Sequence, residues 1–435
     1  MPSTRLDWIT PPPFDGTPRS LAAHVAALGA LERGEASVWL GPPSLDPPAT
    51  IRADLTEPVL VVPTSGSTGQ PRAVLLTRSA LMASQDATAE VLGGHGAWLP
   101  LLPPTHIAGV QVIARAWHTA LRGDCEEPPA AVDTPWTLPV LPDLSTHFDA
   151  DAFVAAAEPF LASVPDGVPR LTSLVPTQLQ RLVTGATGTA ARARSLLTRF
   201  DAVLVGGAAT APDLLARARA ARVRVRTTYG SSETAGGCVY DGRALPGVRL
   251  RIEDPDHDGS GRLLIASPTL LTGHLGPEGV IDRSALVDDP GGPWLRTSDL
   301  ANLSAGHEPT LRVLGRADDV ITTGGRKVQP QDVERAIERS LMLRGMVTGS
   351  VVVGVPDAEW GERVEALVTL APGVDPAEAS ALVRAALRTT EVPSHRIPRR
   401  VHVVQELPLL GIGKIDRSAA RRLAQRADDP AQGED

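Results

Sequence analysis

The order of apolar and polar positions predicts strands that alternate with helices over the first half of the chain. An apolar run at 58–63 leads into a loop rich in Gly, Ser and Thr, and a helical pattern follows at 78–92. Similar units follow, with strands at 174–177, 202–207 and 223–228 and helices that reach 183 and cover 211–221. Strands that alternate with helices favour an α/β fold with mostly parallel sheets. Ligands bind such sheets at the carboxyl ends of the strands.

A different pattern begins at about residue 246. Alternating segments at 248–252 and 262–265 predict antiparallel strands. A compact α+β unit follows, with predicted helices at 331–341 and 376–387 and strands at 350–355, 364–370 and 400–404. The chain therefore divides into a large N-terminal domain over 1–317, which includes an antiparallel β subdomain, and a small C-terminal domain over 318–425. Residues 426–435 are charged and lack apolar anchors, so they are predicted to be a disordered tail.

Composition and charge narrow the class of protein. Hydrophobic residues make up 42% and charged residues 21%, and the net charge of −8 is spread without a basic stripe, which argues against nucleic-acid binding. Cys125 and Cys238 belong to no CxxC pair or His cluster, so neither a disulfide framework nor a zinc site is expected. The chain shows no secretory signal, and no apolar run reaches the ~18 residues of a membrane span. These features predict a cytoplasmic protein.

A loop that follows the first buried strand is a candidate phosphate site. It reads Thr64-Ser65-Gly66-Ser67-Thr68-Gly69-Gln70-Pro71-Arg72. Glycines let the backbone approach a phosphate, and hydroxyl groups donate hydrogen bonds to it. The loop lacks the Gly-Lys-Ser/Thr ending of a Walker A motif. A surface turn of the same composition is the alternative, and the position directly after a buried strand favours phosphate binding.

This loop resembles the phosphate-binding loop of the adenylate-forming superfamily, which contains acyl-CoA synthetases, adenylation domains and luciferases. The resemblance extends to further motifs in the family's order, at 229–234, 295–300 and 315–319. By this match Tyr229 stacks on adenine, Gly230 and Ser232 line the nucleotide site, and Glu233 binds Mg²⁺. Asp299 binds the ribose hydroxyls. Further residues assigned by the same match are Gly207 in the nucleotide site, Arg316 as a catalytic and nucleotide-binding residue, and Asp318 as the hinge before a mobile C-terminal domain.

The chain contains two lysines, Lys327 and Lys414, among its 42 basic residues. The resemblance makes Lys414 the catalytic lysine, which bridges the substrate carboxylate and the α-phosphate of ATP. A single point charge suits that role better than the planar guanidinium of arginine. The second half-reaction of the family uses coenzyme A, and Gly325 matches a glycine of the pantetheine tunnel, although a tight turn is the plainer explanation. Lys327 contacts a CoA phosphate or is simply exposed.

Local sequence points to one group of acids. Segments 104–112 and 172–179 resemble those of o-succinylbenzoate–CoA ligases, particularly the short actinobacterial type, which implies a role in menaquinone biosynthesis. His106, Ser173 and Thr177 would then line the pocket for an aromatic keto-dicarboxylate, and an arginine would pair its second carboxylate. The co-substrates and cofactor implied are ATP, coenzyme A and Mg²⁺. A packed histidine is an equal alternative for His106.

Two departures from the family pattern keep other functions open. The phosphate loop ends in Arg72-Ala73 where the family has Lys-Gly, and only about sixty residues precede it. The alternatives are another aryl- or acyl-CoA ligase, an adenylation enzyme that loads a separate carrier protein, and a nucleotide-binding pseudoenzyme. The expected partner is a small molecule. The sequence leaves the oligomeric state open, a homodimer included.

Overall fold

A computed structural model describes residues 3–42, 45–64, 72–122, 134–185, 187–390, 392–410 and 414–426. The helices in this part of the chain are α1 (Pro18–Glu32), α2 (Arg78–Leu92), α3 (Ile107–Arg122), α4 (Ala150–Ser163), α5 (Pro176–Thr184), α6 (Gly188–Leu197), α7 (Pro212–Ala220), α8 (Pro330–Arg339), α9 (Pro376–Arg388) and α10 (Arg417–Arg426). None of them is long and apolar enough to span a membrane.

The strands of the described residues, in chain order, are β1 (Thr4–Arg5), β2 (Trp8–Ile9), β3 (Ser37–Trp39), β4 (Thr50–Ile51), β5 (Val59–Thr64), β6 (Arg72–Thr77), β7 (Ala97–Leu99), β8 (Arg170–Leu174), β9 (Ala202–Val205), β10 (Val225–Ser231), β11 (Gly236–Tyr240), β12 (Arg243–Ala244), β13 (Arg249–Glu253), β14 (Gly261–Ala266), β15 (Gly273–Leu275), β16 (Ile281–Asp282), β17 (Leu286–Val287), β18 (Trp294–Leu303), β19 (Leu311–Arg316), β20 (Ile321–Thr323), β21 (Arg326–Val328), β22 (Val347–Asp357), β23 (Gly361–Leu370), β24 (Arg400–Val403), β25 (Leu409–Leu410) and β26 (Lys414–Ile415).

The chain forms two compact units. One comprises Met1–Arg251, Leu264–Thr297 and Ser304–Leu311, and the other comprises Ile252–Leu263, Ser298–Leu303 and Arg312–Asp435. We call them the large and the small unit. The predicted single division after residue 317 stays a prediction, since the small unit also takes two earlier segments of the chain.

The large unit contains two six-stranded sheets. In the first, ordered β12-β11-β10-β9-β8-β7, the strands β7 to β10 are parallel and β11 and β12 pair antiparallel. In the second, ordered β16-β15-β6-β5-β3-β2, only β2, β3 and β5 are parallel. The first sheet is covered by aromatic side chains of α4 and the loop after α6, where Phe160 stacks on Phe200 with ring centroids 5.6 Å apart.

The small unit holds a sheet ordered β21-β20-β23-β22, with β24 parallel to β23. Its alternating side chains bury on both faces. Val333 of α8 and Val383 of α9 pack on one face, and Ala420 and Ala424 of α10 pack with Val351 on the other. This alternation is the period of two that a strand imposes on its side chains.

Most predicted elements are present, with shifted ends. The helix predicted at 78–92 has those bounds, because Thr77 caps its first turn and Gly93 adopts φ 86° at its end. The strand–loop–helix unit predicted at 173–183 is present, but the segment 174–177 contains both the end of the strand and the first turn of the helix. The strand ends at Leu174 and a helix begins at Pro176, since proline is favoured at the first helical position. A strand that was not predicted, β6, follows the candidate phosphate loop and pairs antiparallel with β5.

Candidate active site

The carboxyl ends of three parallel strands form one edge of the first sheet in the large unit. Leu174 of β8 aligns with Val205 of β9, and Val205 aligns with Thr227 of β10. The chain beyond β9 then passes through Gly206 and Gly207. A side chain at Gly206 would overlap the Thr228 hydroxyl, and Gly207 has φ 83°, a conformation that favours glycine. Because both residues are glycines, neighbouring groups can come close to the backbone at this edge of the sheet.

A tight turn after β10 carries the predicted metal ligand. Ser232–Thr234 form a short 3-10 turn, and the Thr234 hydroxyl accepts from the Ser231 N–H at 2.9 Å and donates to the Gly236 carbonyl at 2.7 Å. Gly230 lies at a bulge, where any Cβ would fall on the backbone of Gly236. These contacts fix the backbone on both sides of Glu233.

The Glu233 carboxylate has an imidazole partner from β15. His274 Nε2 lies 3.4 Å from Glu233 Oε1, and both side chains are largely buried. Burial would raise the pKa of Glu233. Hydrogen bonds from His274, from the residue's own backbone and from Ser231 outweigh burial and lower this pKa below its usual value. Glu233 is therefore a carboxylate at neutral pH, and His274 is a residue that sequence reasoning missed.

Two further buried side chains hold the same turn. The Ala235 carbonyl accepts hydrogen bonds from Gln111 Nε2 of α3 at 2.6 Å and from Ser84 Oγ of α2 at 3.2 Å. Ala235 itself has φ 50°, which is unusual for a residue with a side chain. The two donors stabilise this conformation two residues after Glu233. Sequence reasoning missed both, because each is a polar residue within a helix and lies far from the turn in the chain.

The candidate phosphate loop joins β5 to β6 in the second sheet. Thr64 and Arg72 are opposite each other where the two strands end, and the Thr64 hydroxyl lies 3.5 Å from the Arg72 carbonyl. Ser65, Gly66, Ser67, Thr68 and Gly69 lie outside the described residues. Both β5 and β6 contact the Ser232–Thr234 turn, so the ends of this loop lie beside the predicted metal ligand.

The residues predicted to bind the acid occupy different positions in the large unit. His106 precedes α3 and is half-buried, and its carbonyl accepts from the Val110 N–H. Thr177 is half-buried in the first turn of α5. Ser173 lies within β8 and is only 7% exposed, so little of its side chain is accessible to a substrate. Tyr229 is half-buried within β10, opposite Val239.

In the small unit, the predicted ribose ligand and the predicted catalytic arginine approach each other. Arg316 Nη1 lies 4.0 Å from Asp299 Oδ1, and its Nη2 lies 3.1 Å from Asp318 Oδ2. Arg316 ends β19, and Asp318 is in the short turn after it. The Arg316 side chain is 39% exposed, and its guanidinium has more N–H donors than these two contacts use. The structure thus places two predicted acidic residues, Asp299 and Asp318, beside the predicted catalytic arginine.

The strand that bears Lys414 is anchored three residues later by Arg417. Lys414 and Ile415 form β26, which pairs with β25. Arg417 makes a two-pronged contact with Glu334 at 2.7 and 2.9 Å, and its Nε lies 3.2 Å from Asp319 Oδ2. Burial raises the pKa of Asp319, and the charge of Arg417 opposes that rise. Arg417 therefore ties the start of α10 to α8 and to the predicted hinge segment.

The predicted pantetheine glycines form the turn between β20 and β21. Gly324 and Gly325 have φ of 55° and 74°. A Cβ on Gly324 would lie 2.7 Å from the Trp360 ring, whereas a Cβ on Gly325 would meet nothing within 4 Å. Lys327, two residues later, is exposed. A Cβ at 325 would therefore meet no neighbouring atom, but the φ of 74° strains any side chain at this position.

Comparison with known proteins identifies the family. Residues 146–275 match the family described as AMP-binding enzyme, and residues 336–414 match the AMP-binding enzyme C-terminal domain. A protein of Mycobacterium tuberculosis named "Probable 2-succinylbenzoate–CoA ligase" is 39% identical over 412 residues, which are 93% of this chain and 90% of the relative.

Solved structures have the same fold. The o-succinylbenzoate CoA synthetase of Bacillus subtilis, in complex with its acyl-adenylate, is 22% identical with a TM-score of 0.61 over 86% of this chain and 70% of its own. An amide bond synthetase of Marinactinospora thermotolerans is 25% identical with a TM-score of 0.64 over 91% and 77%. The predicted α/β fold with a large and a small domain is confirmed. The chain belongs to the adenylate-forming family of AMP-binding enzymes.

Proposed function

We propose that this protein is an ATP-dependent carboxylate–CoA ligase whose acid is o-succinylbenzoate, and that it acts in menaquinone biosynthesis. The observation that carries the proposal is the 39% identity to the mycobacterial relative over nearly the full length of both chains. The sheet edge with Gly207 and Glu233, and the exposed Arg316 beside Asp299, support it. The proposal includes a cytoplasmic location and leaves room for a homodimer.

The first half-reaction joins the acid to AMP. A carboxylate oxygen of the acid attacks the α-phosphorus of ATP, the bond to the β-phosphate breaks, and pyrophosphate leaves. Two anions meet in this step, so donors and cations must offset the developing charge. Lys414 supplies one such charge between the carboxylate and the α-phosphate, and Arg316 a second. Tyr229 stacks on adenine, and Asp299 accepts hydrogen bonds from the ribose.

Glu233 has the chemistry of a Mg²⁺ ligand. Mg²⁺ prefers oxygen ligands, often one or two carboxylates together with substrate phosphates. The lowered pKa keeps Glu233 ionised, and His274 holds one of its oxygens, which orients the group. Held by Glu233, Mg²⁺ would offset negative charge on the phosphates during the first half-reaction. Ser231 and Ser232 directly precede Glu233 in the chain and add hydroxyl groups near it.

The second half-reaction transfers the acyl group to sulfur. The thiolate of coenzyme A attacks the acyl carbonyl carbon, the bond to the AMP phosphate oxygen breaks, and AMP leaves. Gly325 lines the path of the pantetheine arm in this proposal. A Gly325→Trp variant should keep ATP–pyrophosphate exchange and lose thioester formation, because the added side chain extends into open space. The φ of 74° strains any side chain here, so the melting temperature of the variant is measured beside the two activities. Loss of both activities, or of neither, would contradict the assignment of Gly325.

The direct test is a reaction with ATP, Mg²⁺, coenzyme A and o-succinylbenzoate, with the thioester detected by mass. Benzoate and a medium-chain acid are the controls. Turnover restricted to o-succinylbenzoate is expected. If a thioester forms only with another acid, the protein is still a carboxylate–CoA ligase, but o-succinylbenzoate is not its substrate. An adenylate that never reaches coenzyme A would favour a carrier-loading enzyme, and no exchange with any acid would favour a nucleotide-binding pseudoenzyme.

The two lysines provide a matched pair of variants for the first half-reaction. Lys414→Ala should slow ATP–pyrophosphate exchange by about two to three orders of magnitude, the typical cost of removing a preorganised donor to a transition state. Lys327→Ala removes the same charge from an exposed position in the same unit and should leave this exchange unchanged. Equal effects of the two variants would mean that the loss is one of general charge, and the assignment of Lys414 would fail.

A further inference from the structure

Three metal-ligating side chains meet in the large unit, and none of them belongs to a motif assigned to ATP, the acid or coenzyme A. Asp86 is on α2, His95 is in the turn between α2 and β7, and His118 is on α3. Their ligand atoms all lie within 4.8 Å of one another. His118 Nε2 is 2.8 Å and His95 Nε2 is 3.6 Å from Asp86 Oδ1.

These distances fit a four-coordinate ion. Ligands about 2.0 Å from Zn²⁺ in a tetrahedron lie roughly 3.3 Å apart, a value between the two separations from Asp86. Two imidazoles and one carboxylate are a donor set that suits Zn²⁺ and its neighbours among the transition metals, whereas Mg²⁺ and Ca²⁺ prefer oxygen alone. His95 is 31% exposed, so solvent and an entering ion reach the cluster from that side.

A buried carboxylate lies behind His118, on the side away from the cluster. Glu32 is 1% exposed, and its Oε2 is 3.9 Å from His118 Nδ1 and has no hydrogen-bond partner among the described residues. Its other oxygen accepts from Gln85 Nε2 at 2.7 Å. A histidine that binds a metal through Nε2 almost always donates its Nδ1–H to such an acceptor, which fixes the ring and raises its basicity.

A cation already occupies the opposite side of the cluster. Arg122 Nη1 contacts Asp86 Oδ1 and lies 3.3 Å from His118 Nε2. Arg122 is the last residue of α3, and its side chain is 52% exposed, so it can turn to solvent at little cost. The carboxylate and the two imidazoles therefore already face one positive charge, that of Arg122, and a metal ion could replace it.

From this geometry we propose that Asp86, His95 and His118 bind one divalent transition-metal ion of the Zn²⁺ type, with Glu32 orienting His118 and water as the fourth ligand. The ion would join α2 to α3. These same helices carry Ser84 and Gln111, which hold the Ala235 carbonyl next to Glu233. The role assigned to the ion is therefore to stabilise the two helices that support the catalytic turn. Its ligands are spread over some thirty residues, so no short sequence motif predicts the site.

The test uses the full-length chain without an affinity tag, stripped with a chelator. Co²⁺ is followed by its visible absorption and Zn²⁺ by calorimetry, both with excess Mg²⁺ in a Glu233→Gln background to exclude the Glu233–His274 pair. One equivalent should bind, with the strong absorption typical of four-coordinate Co²⁺. His95→Ala should lose this binding, Glu32→Gln should weaken it by about 10- to 100-fold, and Arg122→Ala should strengthen it.

Two controls separate ligation from folding. His257 is exposed in the loop after β13, and His257→Ala should bind as the parent does. His95 is partly exposed, so its removal should leave the folded state intact. His118 is buried, so His95→Ala and not a His118 variant decides the test. Zn²⁺ should also raise the melting temperature of the parent and not of His95→Ala. Absence of stoichiometric binding, or equal affinity in parent and His95→Ala, would overturn the proposal.

Discussion

His274 offers a sharp test of how the catalytic turn works. Its Nε2 is 3.4 Å from Glu233 Oε1, at the long end of hydrogen-bond distances. Hydrogen bonds to charged groups contribute ~1.5–3 kcal/mol, and the length of this one places it near the lower figure. A loss of ~1.4 kcal/mol is a factor of ten in an equilibrium constant. His274→Phe keeps the bulk of the side chain and removes the donor. We therefore expect this variant to need about ten times more Mg²⁺ for half-maximal ATP–pyrophosphate exchange.

The same variant should change the pH dependence in a defined direction. The pKa of Glu233 is lowered, so its carboxylate contributes stability at pH values above the unfolded pKa and loses it as pH falls through the folded pKa. Without His274, burial acts with less opposition and this pKa rises. The carboxyl then stays protonated to a higher pH, and the acidic limb of the exchange activity moves upward.

The assay is exchange measured against Mg²⁺ concentration at a series of pH values from neutral to acid. His274→Gln is the matched control, since an amide retains an N–H donor and should recover most of the affinity for Mg²⁺. If His274→Phe has the Mg²⁺ dependence and acidic limb of the parent, the imidazole does not support Glu233. If the Gln variant is as impaired as the Phe variant, packing and not the hydrogen bond is responsible.

Other residues give shorter predictions. Arg417→Met should lower the free energy of unfolding of the small unit by about 2–3 kcal/mol, because it leaves the partly buried carboxylates of Glu334 and Asp319 without their cation, and denaturant titration would measure it; a cost below about 1 kcal/mol would contradict this. Gly230→Ala should reduce the melting temperature and the exchange activity together, because the new Cβ overlaps Gly236; an unchanged melting temperature would refute the overlap. Burial raises the pKa of Cys238 to about 12, so a thiol reagent at mildly alkaline pH should modify it only after unfolding; labelling of the native protein would show that it is accessible.

The elements that local patterns predict best are those whose ends have local causes. The bounds of α2 follow from a threonine cap and a glycine in the left-handed conformation, both visible in the sequence. By contrast, β6 was missed, although Ala73–Leu76 is an apolar run. Its identity as a strand depends on pairing with β5 and β15, and β15 lies about two hundred residues later in the chain. Pairing over such separations leaves no local periodicity to read.

In the candidate site too, the sequence predicts what depends on adjacent residues and misses what depends on distant ones. Glu233 could be proposed from its own motif, because the turn that presents it is built from adjacent residues. Its supporting groups come from elsewhere: Ser84 and Gln111 from two helices and His274 from another strand. Each is a common polar residue in an ordinary helix or strand pattern, and only the fold brings it to the turn. Ser173 stays a predicted pocket residue, and the fold shows that it is largely buried within a strand.

A comparison of Arg417 with Lys414 suggests why an arginine-rich chain retains a lysine in β26, just before α10. Arg417 uses its whole planar fork, with a bidentate pair to Glu334, a third contact to Asp319 and a hydrogen bond to the Val352 carbonyl at 2.8 Å. Such a side chain is committed to one fixed arrangement of acceptors. The role proposed for Lys414 differs, since its charge must meet the carboxylate and the phosphate during one half-reaction only. A compact ammonium on a flexible stem suits a transient contact, and a fork suits a permanent one. In this proposal Arg417 fixes the backbone at the start of α10, and Lys414, three residues earlier, makes the transient contact with the substrate.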